Sequence, residues 1–142
     1  MIWKKSVSLA DLNAFGIVNM MQHLGIIFTE IGDDYLVAKM PVDERTQQPM
    51  GLLHGGASVV LAETLGSTAA NLCLDTTQEY ALGLDINANH IRSVKNGYVY
   101  GKTIPVNIGK KVQIWRIEIR DEAERLVCES RITMVVLPVV IN

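Results

Sequence analysis

The chain has 142 residues, of which 49% are hydrophobic and 20% are charged, and its formal net charge is −2. This length fits one domain over residues 1–142 whose core needs no disulfide or metal, and the composition excludes a disordered chain. The slightly acidic balance gives no reason to expect nucleic-acid binding, which usually requires a basic face.

The N-terminal residues 1–6 lack the apolar run and cleavage site of a signal peptide, and no stretch of about 18 uninterrupted apolar residues occurs. We therefore expect a cytoplasmic protein that does not enter a membrane. The next segment predicts a short helix over residues 8–13, because Ser8 can cap its start and Asp11 can complete a capping box.

Residues 15–24 predict a second short helix or a turn, because three apolar side chains lie at helical spacing: Met20, Met21 and Leu24. Two β-rich runs follow, residues 25–31 and 35–42. The turn sequence Gly32-Asp33-Asp34 separates them, which predicts a β-hairpin.

The apolar segment from Ser58 to Leu74 shows no strand alternation and predicts a long helix that other structure surrounds, beginning near His54. Its polar residues recur every four positions and therefore share one stripe on the helix. The stripe consists of Glu63, Ser67 and Asn71, with Thr64 beside it.

Four strand-like runs follow the helix, over residues 80–92, 98–108, 110–120 and 125–137. In the first, the even positions are predicted to face the core: Tyr80, Leu82, Leu84 and Ile86. In the last, one face is apolar apart from Ser130: Leu126, Cys128, Ile132, Met134 and Val136. Short connections favour antiparallel pairing, and the helix is the element apolar enough for the sheet to cover. We predict an α+β fold, a six-stranded antiparallel sheet wrapped around a long central helix.

Two features of the helix indicate chemistry. The sequence His54-Gly55-Gly56 places bare N–H groups at the positive end of a helix dipole, where they can hold a developing negative charge. The alternative is a plain turn that closes onto the helix. The second feature is Glu63, because a lone carboxylate in an apolar helix needs a partner or a function. The structural alternative is a buried ion pair with an arginine such as Arg92 or Arg131.

Metal and thiol chemistry are not predicted. The cysteines Cys73 and Cys128 have no metal-ligand or CxxC spacing and are expected to be reduced core thiols. The histidines also lack a recognisable ligand spacing, and no G-x-S-x-G nucleophile elbow is present.

The string Gln48-Pro-Met-Gly-Leu-Leu-His-Gly-Gly-Ala-Ser-Val-Val-Leu-Ala-Glu63, followed by Ser67 and by Asn87-Ala-Asn-His-Ile-Arg92, resembles the hotdog-fold acyl-CoA thioesterases. The similarity extends nearly end to end. Within that family the chain looks like the 4-hydroxybenzoyl-CoA and phenylacetate-pathway type. It is especially similar to members that act on 1,4-dihydroxy-2-naphthoyl-CoA in menaquinone biosynthesis, or on aryl-carrier-protein thioesters in enterobactin synthesis. The resemblance implies a thioester hydrolase without a cofactor that assembles as a dimer of dimers.

The resemblance also implies roles for the matching residues. Glu63 would act either as a nucleophile through a mixed anhydride or as a general base on water, and the sequence leaves both open. The N–H of Gly55 would bind the developing oxyanion, with Gly56 as a second candidate donor. Gln48 and His54 would hold the thioester carbonyl or the water, although a histidine in a loop is more often a surface residue. Ser67 lies one turn beyond Glu63 on the same stripe, so it is a candidate to hydrogen-bond the carboxylate, the water or the thioester. The alternative for Ser67 is a small residue that permits close helix packing.

The coenzyme A phosphates require placed cations, for which His90 and Arg92 are candidates because they share one face of a strand. Lys95 follows in the adjacent turn, although such residues are also common as solvated charges. The candidates for the acyl pocket are Met20, Met21, Met50, Val59 and Thr64, although methionines also serve as core filler. At Met50 the similar thioesterases usually have phenylalanine.

Spacing predicts that the site is shared between subunits. Gly55 and Glu63 are about 12 Å apart along one helix, whereas both must lie about 3 Å from one carbonyl group. We therefore expect a homodimer with antiparallel central helices and two composite sites.

Two other functions stay open. A β-hydroxyacyl thioester dehydratase or hydratase pairs a histidine with a helix acid, but its usual His-x-Phe-Pro-Gly loop is missing from this sequence. A non-catalytic acyl-CoA sensor is the other, and it would not need the polar set Gln48, His54 and Glu63.

Overall fold

The computed structural model describes residues 1–14 and 16–141, which form three helices and six strands. The helices are α1 (Leu9–Asn13), α2 (Met20–His23) and α3 (Gly55–Leu72). The strands are β1 (Ile27–Ile31), β2 (Leu36–Pro41), β3 (Glu79–His90), β4 (Tyr98–Ile108), β5 (Val112–Asp121) and β6 (Leu126–Pro138).

All six strands belong to one sheet in the order β1-β2-β4-β5-β6-β3, and every neighbouring pair is antiparallel. The helix α3 contacts five of the strands and lies against one face of the sheet. The core forms between them, from apolar side chains that include Leu61, Leu65, Trp115, Ile117 and Ile132, all fully buried. The predicted hotdog arrangement, a sheet wrapped around a central helix, is confirmed.

Local signals in the first third of the chain are also confirmed. Ser8 caps α1 and forms the capping box with Asp11. Asn19 caps the short helix α2, and the hairpin β1–β2 forms around Gly32. Phe15, where the second predicted helical segment begins, lies outside the described residues.

The prediction for the facing of β3 is wrong at three of its four positions. Tyr80, Leu82 and Leu84 are 38%, 50% and 66% exposed, whereas Ala81 is 2% exposed. The small residues of the strand face α3, so the larger apolar residues lie on the opposite face. Alternation was detected correctly, but the buried face was assigned to the more hydrophobic set.

Close approach between α3 and β3 is the physical reason. A Cβ atom on Gly83 would lie 2.9 Å from the Glu63 Oε1 atom, so a larger side chain there would have to displace the Glu63 carboxylate. A β-bulge between Gly83 and Asp85 then shifts the facing of the strand by one residue, which returns Ile86 to the core side. In β6, the predicted apolar face is buried at its centre: Cys128, Ile132 and Met134.

Within residues 1–14 and 16–141, no helix is both long enough and apolar enough to cross a membrane.

Candidate functional site

The start of α3 presents one free backbone donor. His54 is the N-cap residue, and its Nδ1 atom accepts a hydrogen bond of 2.7 Å from the Gly56 N–H. The N–H of Gly55 has no acceptor among the described residues. Of the two candidate oxyanion donors, Gly56 is therefore occupied by His54, and Gly55 remains available at the positive end of the helix dipole.

A cleft of about 340 Å³ opens beside this donor. It brings together four of the predicted residues: Gln48, Gly55, His90 and Arg92. The His90 ring lies directly against the backbone of Gly55, because a Cβ atom on Gly55 would be 2.8 Å from His90 Nε2. Glycine is the residue that lets this ring approach the helix start so closely. The cleft thus combines a free N–H group with an imidazole and a guanidinium, which suits an anionic ligand.

Glu63 lies in a different cavity, of about 370 Å³, which shares no lining residue with the cleft of Gly55. Its lining includes the predicted residues Glu63, Thr64, Ser67, Met20 and Met21, together with Val60 and Thr68. The Thr64 hydroxyl donates to the Val60 carbonyl within the helix at 2.7 Å, so this hydroxyl is already engaged.

The Glu63 carboxylate is half-buried and has no ion-pair or hydrogen-bond partner in the part of the chain that the structure describes. The alternative of an ion pair with Arg92 or Arg131 is therefore not realised in this chain. The carboxylate instead rests against the backbone of Gly83 in β3. A partly buried, unpaired carboxylate that faces a cavity is available for chemistry.

A single chain does not place Gly55 and Glu63 in one cavity. A third cavity, of about 270 Å³, shares Met20 and Val60 with the cavity of Glu63 and is also lined by His54 and Gly56. His54 therefore faces the space along α3 rather than the cleft of Gly55 and His90.

Three other candidates lie apart from these groups. Met50 is 82% exposed, and its N–H donates to the Gln48 Oε1 atom. Val59 is half-buried on α3 and lines none of the three cavities described above. The carbonyl of Lys95 accepts a 2.8 Å hydrogen bond from the Gln47 side chain, which fixes the turn beside the cleft.

Sequence reasoning missed Gly83, which forms the wall behind Glu63. The available signal was the small residue at this position of β3, a common mark of close backbone approach. It also gave Asn71 no role, although this side chain binds both the N–H and the carbonyl of Ala81, at 2.9 and 3.0 Å.

Both thiols are buried, and burial raises the pKa of Cys73 and of Cys128 to about 11, which disfavours the thiolate form at neutral pH. Over the described residues, no three histidine, cysteine or carboxylate side chains lie together in a way that could hold a metal ion.

Comparison with known proteins identifies the family of this chain. Residues 50–128 match the thioesterase superfamily. The chain is 55% identical over 137 residues to a 1,4-dihydroxy-2-naphthoyl-CoA hydrolase of Escherichia coli, covering 96% of this chain and 100% of that protein. It is 49% identical over 137 residues to a proofreading thioesterase of Cronobacter sakazakii, covering 96% and 99%.

Solved structures agree with these relatives. A thioesterase from Haemophilus influenzae superposes with a TM-score of 0.96 at 46% identity, covering 100% of this chain and 99% of the other. A mutant thioesterase from Pseudomonas aeruginosa also gives a TM-score of 0.96, at 43% identity, covering 98% and 100%.

Proposed function

Because this chain belongs to the thioesterase superfamily and is a thioester hydrolase, we propose that it cleaves an aromatic or otherwise bulky acyl-CoA, or the same acyl group on a carrier protein. The Escherichia coli relative makes 1,4-dihydroxy-2-naphthoyl-CoA the first substrate to test. Hydrolysis of this ester would give the chain the place in menaquinone biosynthesis that the sequence resemblance implies. The Cronobacter sakazakii relative, a proofreading thioesterase, supports a test of carrier-protein thioesters.

The unpaired Glu63 carboxylate against Gly83 is the observation that carries this proposal. Glu63 either attacks the thioester carbon to form a mixed anhydride, which water then hydrolyses, or removes a proton from an attacking water. In both routes, the carbonyl oxygen gains negative charge and accepts a hydrogen bond from Gly55 N–H. The carbon–sulfur bond then breaks, and the leaving thiolate takes up a proton. The products are a free acid and a thiol.

Several side chains support this step. Ser67 lies one helical turn beyond Glu63 in the same cavity and can orient the carboxylate or the water. Gln48 faces the cleft of Gly55 and can hold the thioester carbonyl, while His54 fixes Gly56 at the helix start. His90 and Arg92 supply the cationic side of the cleft for the coenzyme A phosphates.

The proposal includes a homodimer, because the two halves of the site belong to different cavities in one chain. Both halves touch the edge strand β3: Glu63 lies against Gly83, and Gly55 lies against His90. These two β3 positions are about 20 Å apart along the strand. A second copy that pairs antiparallel along this edge places its His90 near the first copy's Gly83, and both sites become complete together.

A panel of acyl-CoA esters with a thiol-reactive dye tests the chemistry. We expect thiol release by the native protein and a loss of at least about 10³-fold in kcat for Glu63→Gln, as for other residues that act on the reacting atoms. The Glu63→Gln protein should retain its native sedimentation behaviour and unfolding curve. Unchanged turnover in this variant would contradict the proposed role of Glu63. The native thiols should give little background in this assay, since both cysteines are buried.

A further inference from the structure

Asparagine side chains close both edges of the sheet at one residue each. At β1, Asn13 donates to the Phe28 carbonyl at 2.9 Å and accepts from the Phe28 N–H at 2.8 Å. At β3, Asn71 makes the same pair of bonds with Ala81, at 3.0 and 2.9 Å. A residue of a neighbouring antiparallel strand would make these two bonds, so each amide imitates a strand partner.

Asn71 closes one end of β3 and leaves the remainder of its edge open. The Ala81 groups face away from β6, because its partner Val136 donates its own N–H to Lys111 on the β5 side. Because the backbone N–H and carbonyl groups of alternate residues in a strand face the same side, those of Gly83 also face the free edge. After the bulge the facing shifts by one, so the free edge then carries the backbone groups of three residues: Ile86, Ala88 and His90.

We propose that Asn71 sets the register in which a second copy of this chain pairs with β3. The inference rests on the proposed function, since it concerns how the two halves of the thioesterase site meet. A second antiparallel β3 forms the longest ladder when the two open segments, residues 83–90, lie along each other. Gly83 is then opposite His90 of the second copy. Because the bulge between Gly83 and Asp85 adds one residue that takes no place of its own in the ladder, the midpoint of this pairing is Asn87, which lies on the two-fold axis. A slip toward Ala81 requires backbone groups that Asn71 already occupies, and a slip the other way loses ladder bonds.

This register is the one that completes the active site. Glu63 rests against Gly83, and Gly55 rests against His90, so pairing these two strand positions brings the carboxylate of one copy to the free N–H of the other. A slip of two residues would move them by about 6–7 Å. Because misplacement by about 1 Å can cost 10²-fold in rate, a slipped dimer would be nearly inactive. Asn71 is therefore a positioning residue, which acts through the strand edge and touches no substrate.

Disulfide trapping tests the register directly. In the proposed pairing, Asn87 of one copy lies opposite Asn87 of the second copy as a non-hydrogen-bonded pair. Their Cα atoms are about 4.5 Å apart, a separation that a disulfide can span. Asn87→Cys should form a covalent dimer under mild oxidation. Asn89→Cys is the matched control. Residue 89 lies on the same face of the strand as residue 87, but in this register it is about 13 Å from residue 89 of the second copy, so no disulfide should form. A stable dimer in which Asn87→Cys does not cross-link would overturn the proposal.

Removing the cap tests the role of Asn71. In the Asn87→Cys background, Asn71→Ala should lower the yield of cross-linked dimer and lower the kcat of the reduced enzyme by about 10- to 100-fold. Asn13→Ala removes the same two bonds at the other edge and should change neither measurement. Equal results for the two variants would refute the role of Asn71. If Asn71→Ala does not unfold cooperatively, Asn71→Ser replaces it, since a hydroxyl cannot bridge both groups of Ala81.

Failure of this inference differs from failure of the proposed function. Hydrolysis that depends on Glu63, together with a dimer that Asn87→Cys does not trap, refutes the register alone. Efficient trapping in a protein that releases no thiol from any acyl-CoA refutes the proposed function and leaves the register standing.

Discussion

The contact between Glu63 and Gly83 determines where the proposed catalytic carboxylate can lie. A methyl group on residue 83 would be 2.9 Å from the Glu63 Oε1 atom and 3.4 Å from its carboxyl carbon. Because Gly83 is backbone in an edge strand, the flexible glutamate side chain must yield. Gly83→Ala should therefore move the carboxylate and lower kcat by about 10²-fold, with KM nearly unchanged.

Steady-state kinetics with a double variant separates this displacement from general damage. Glu63→Asp shortens the side chain by one methylene group and so withdraws the carboxylate from residue 83. The methyl group that Gly83→Ala adds should then displace the carboxylate less. The effects of Gly83→Ala and Glu63→Asp should then be strongly non-additive in kcat. Additive losses, with Gly83→Ala already unfolding at much lower urea, would mean that the glycine serves the strand and not the carboxylate.

At the scale of elements, what could be predicted from the sequence was what depends on near neighbours in the chain. The Ser8–Asp11 capping box and the turn at Gly32 need only a few adjacent residues, and both form as predicted. The facing of β3 depends instead on how closely α3 passes over Ala81 and Gly83, and on a bulge that the alternation does not reveal. Hydrophobicity alone therefore pointed to the wrong face.

The candidate site, too, was predictable only where it depends on residues that are close in the sequence. The cleft residues Gly55 and His90 lie 35 positions apart in the sequence, and only the fold shows that the ring covers the glycine. The helical stripe was predictable from the four-residue repeat of Glu63, Ser67 and Asn71. The use of Asn71 as a strand cap was not, because its partner belongs to the next element of the chain.

The turn between β5 and β6 predicts a pH dependence of stability. The Arg125 N–H holds the pKa of Asp121 below its ordinary value of 3.8, assisted by the Arg125 guanidinium and the Ala123 N–H. A carboxyl group whose pKa is lower in the folded state contributes stability above pH 3.8 and loses it as the pH falls through the lowered pKa. Asp121→Asn should therefore lower the free energy of unfolding at pH 7.

Urea unfolding of both proteins at several pH values measures this contribution. The difference between the native protein and Asp121→Asn should be constant from pH 7 to about 5 and should shrink below pH 4. Glu124→Gln serves as the control in the same turn, because the exposed Glu124 side chain makes no hydrogen bond or ion pair among the described residues, and it should leave the free energy of unfolding nearly unchanged. A difference that stays constant down to pH 2.5 would show that the Asp121 charge makes no net contribution.

For the whole molecule, the two edges of the sheet differ in a way that favours pairing at one of them. Both edge strands carry a bulge, but β1 has 5 residues, whereas β3 has 12 residues and leaves exposed apolar side chains beside its open edge. Long unprotected edges are templates for another strand. The fold therefore offers a second copy one extended surface, and the two halves of the proposed site lie along it.

A composite site makes a quantitative prediction for mixed dimers of inactive chains. Glu63→Gln removes the carboxylate, and Gly55→Ala disturbs the oxyanion side, because its Cβ would lie 2.8 Å from His90 Nε2. Each variant alone should be inactive. After subunit exchange in an equal mixture, about half of the dimers carry one intact site, so activity should recover to about a quarter of the native value.

The matched control carries the same two changes on one chain. When Glu63→Gln/Gly55→Ala is mixed equally with the native chain, both sites of each mixed dimer are damaged if the site is composite, so about a quarter of the native activity should remain. A site contained within one chain predicts about half in this mixture and no recovery in the first. Native mass spectrometry establishes that subunits have exchanged, which makes the two arrangements distinguishable whatever the acyl group. Glu63 and Gly55 of one chain contact β3 at Gly83 and His90, so in the proposed dimer they belong to different sites. We therefore expect the result for a composite site, about a quarter of the native activity, in both mixtures.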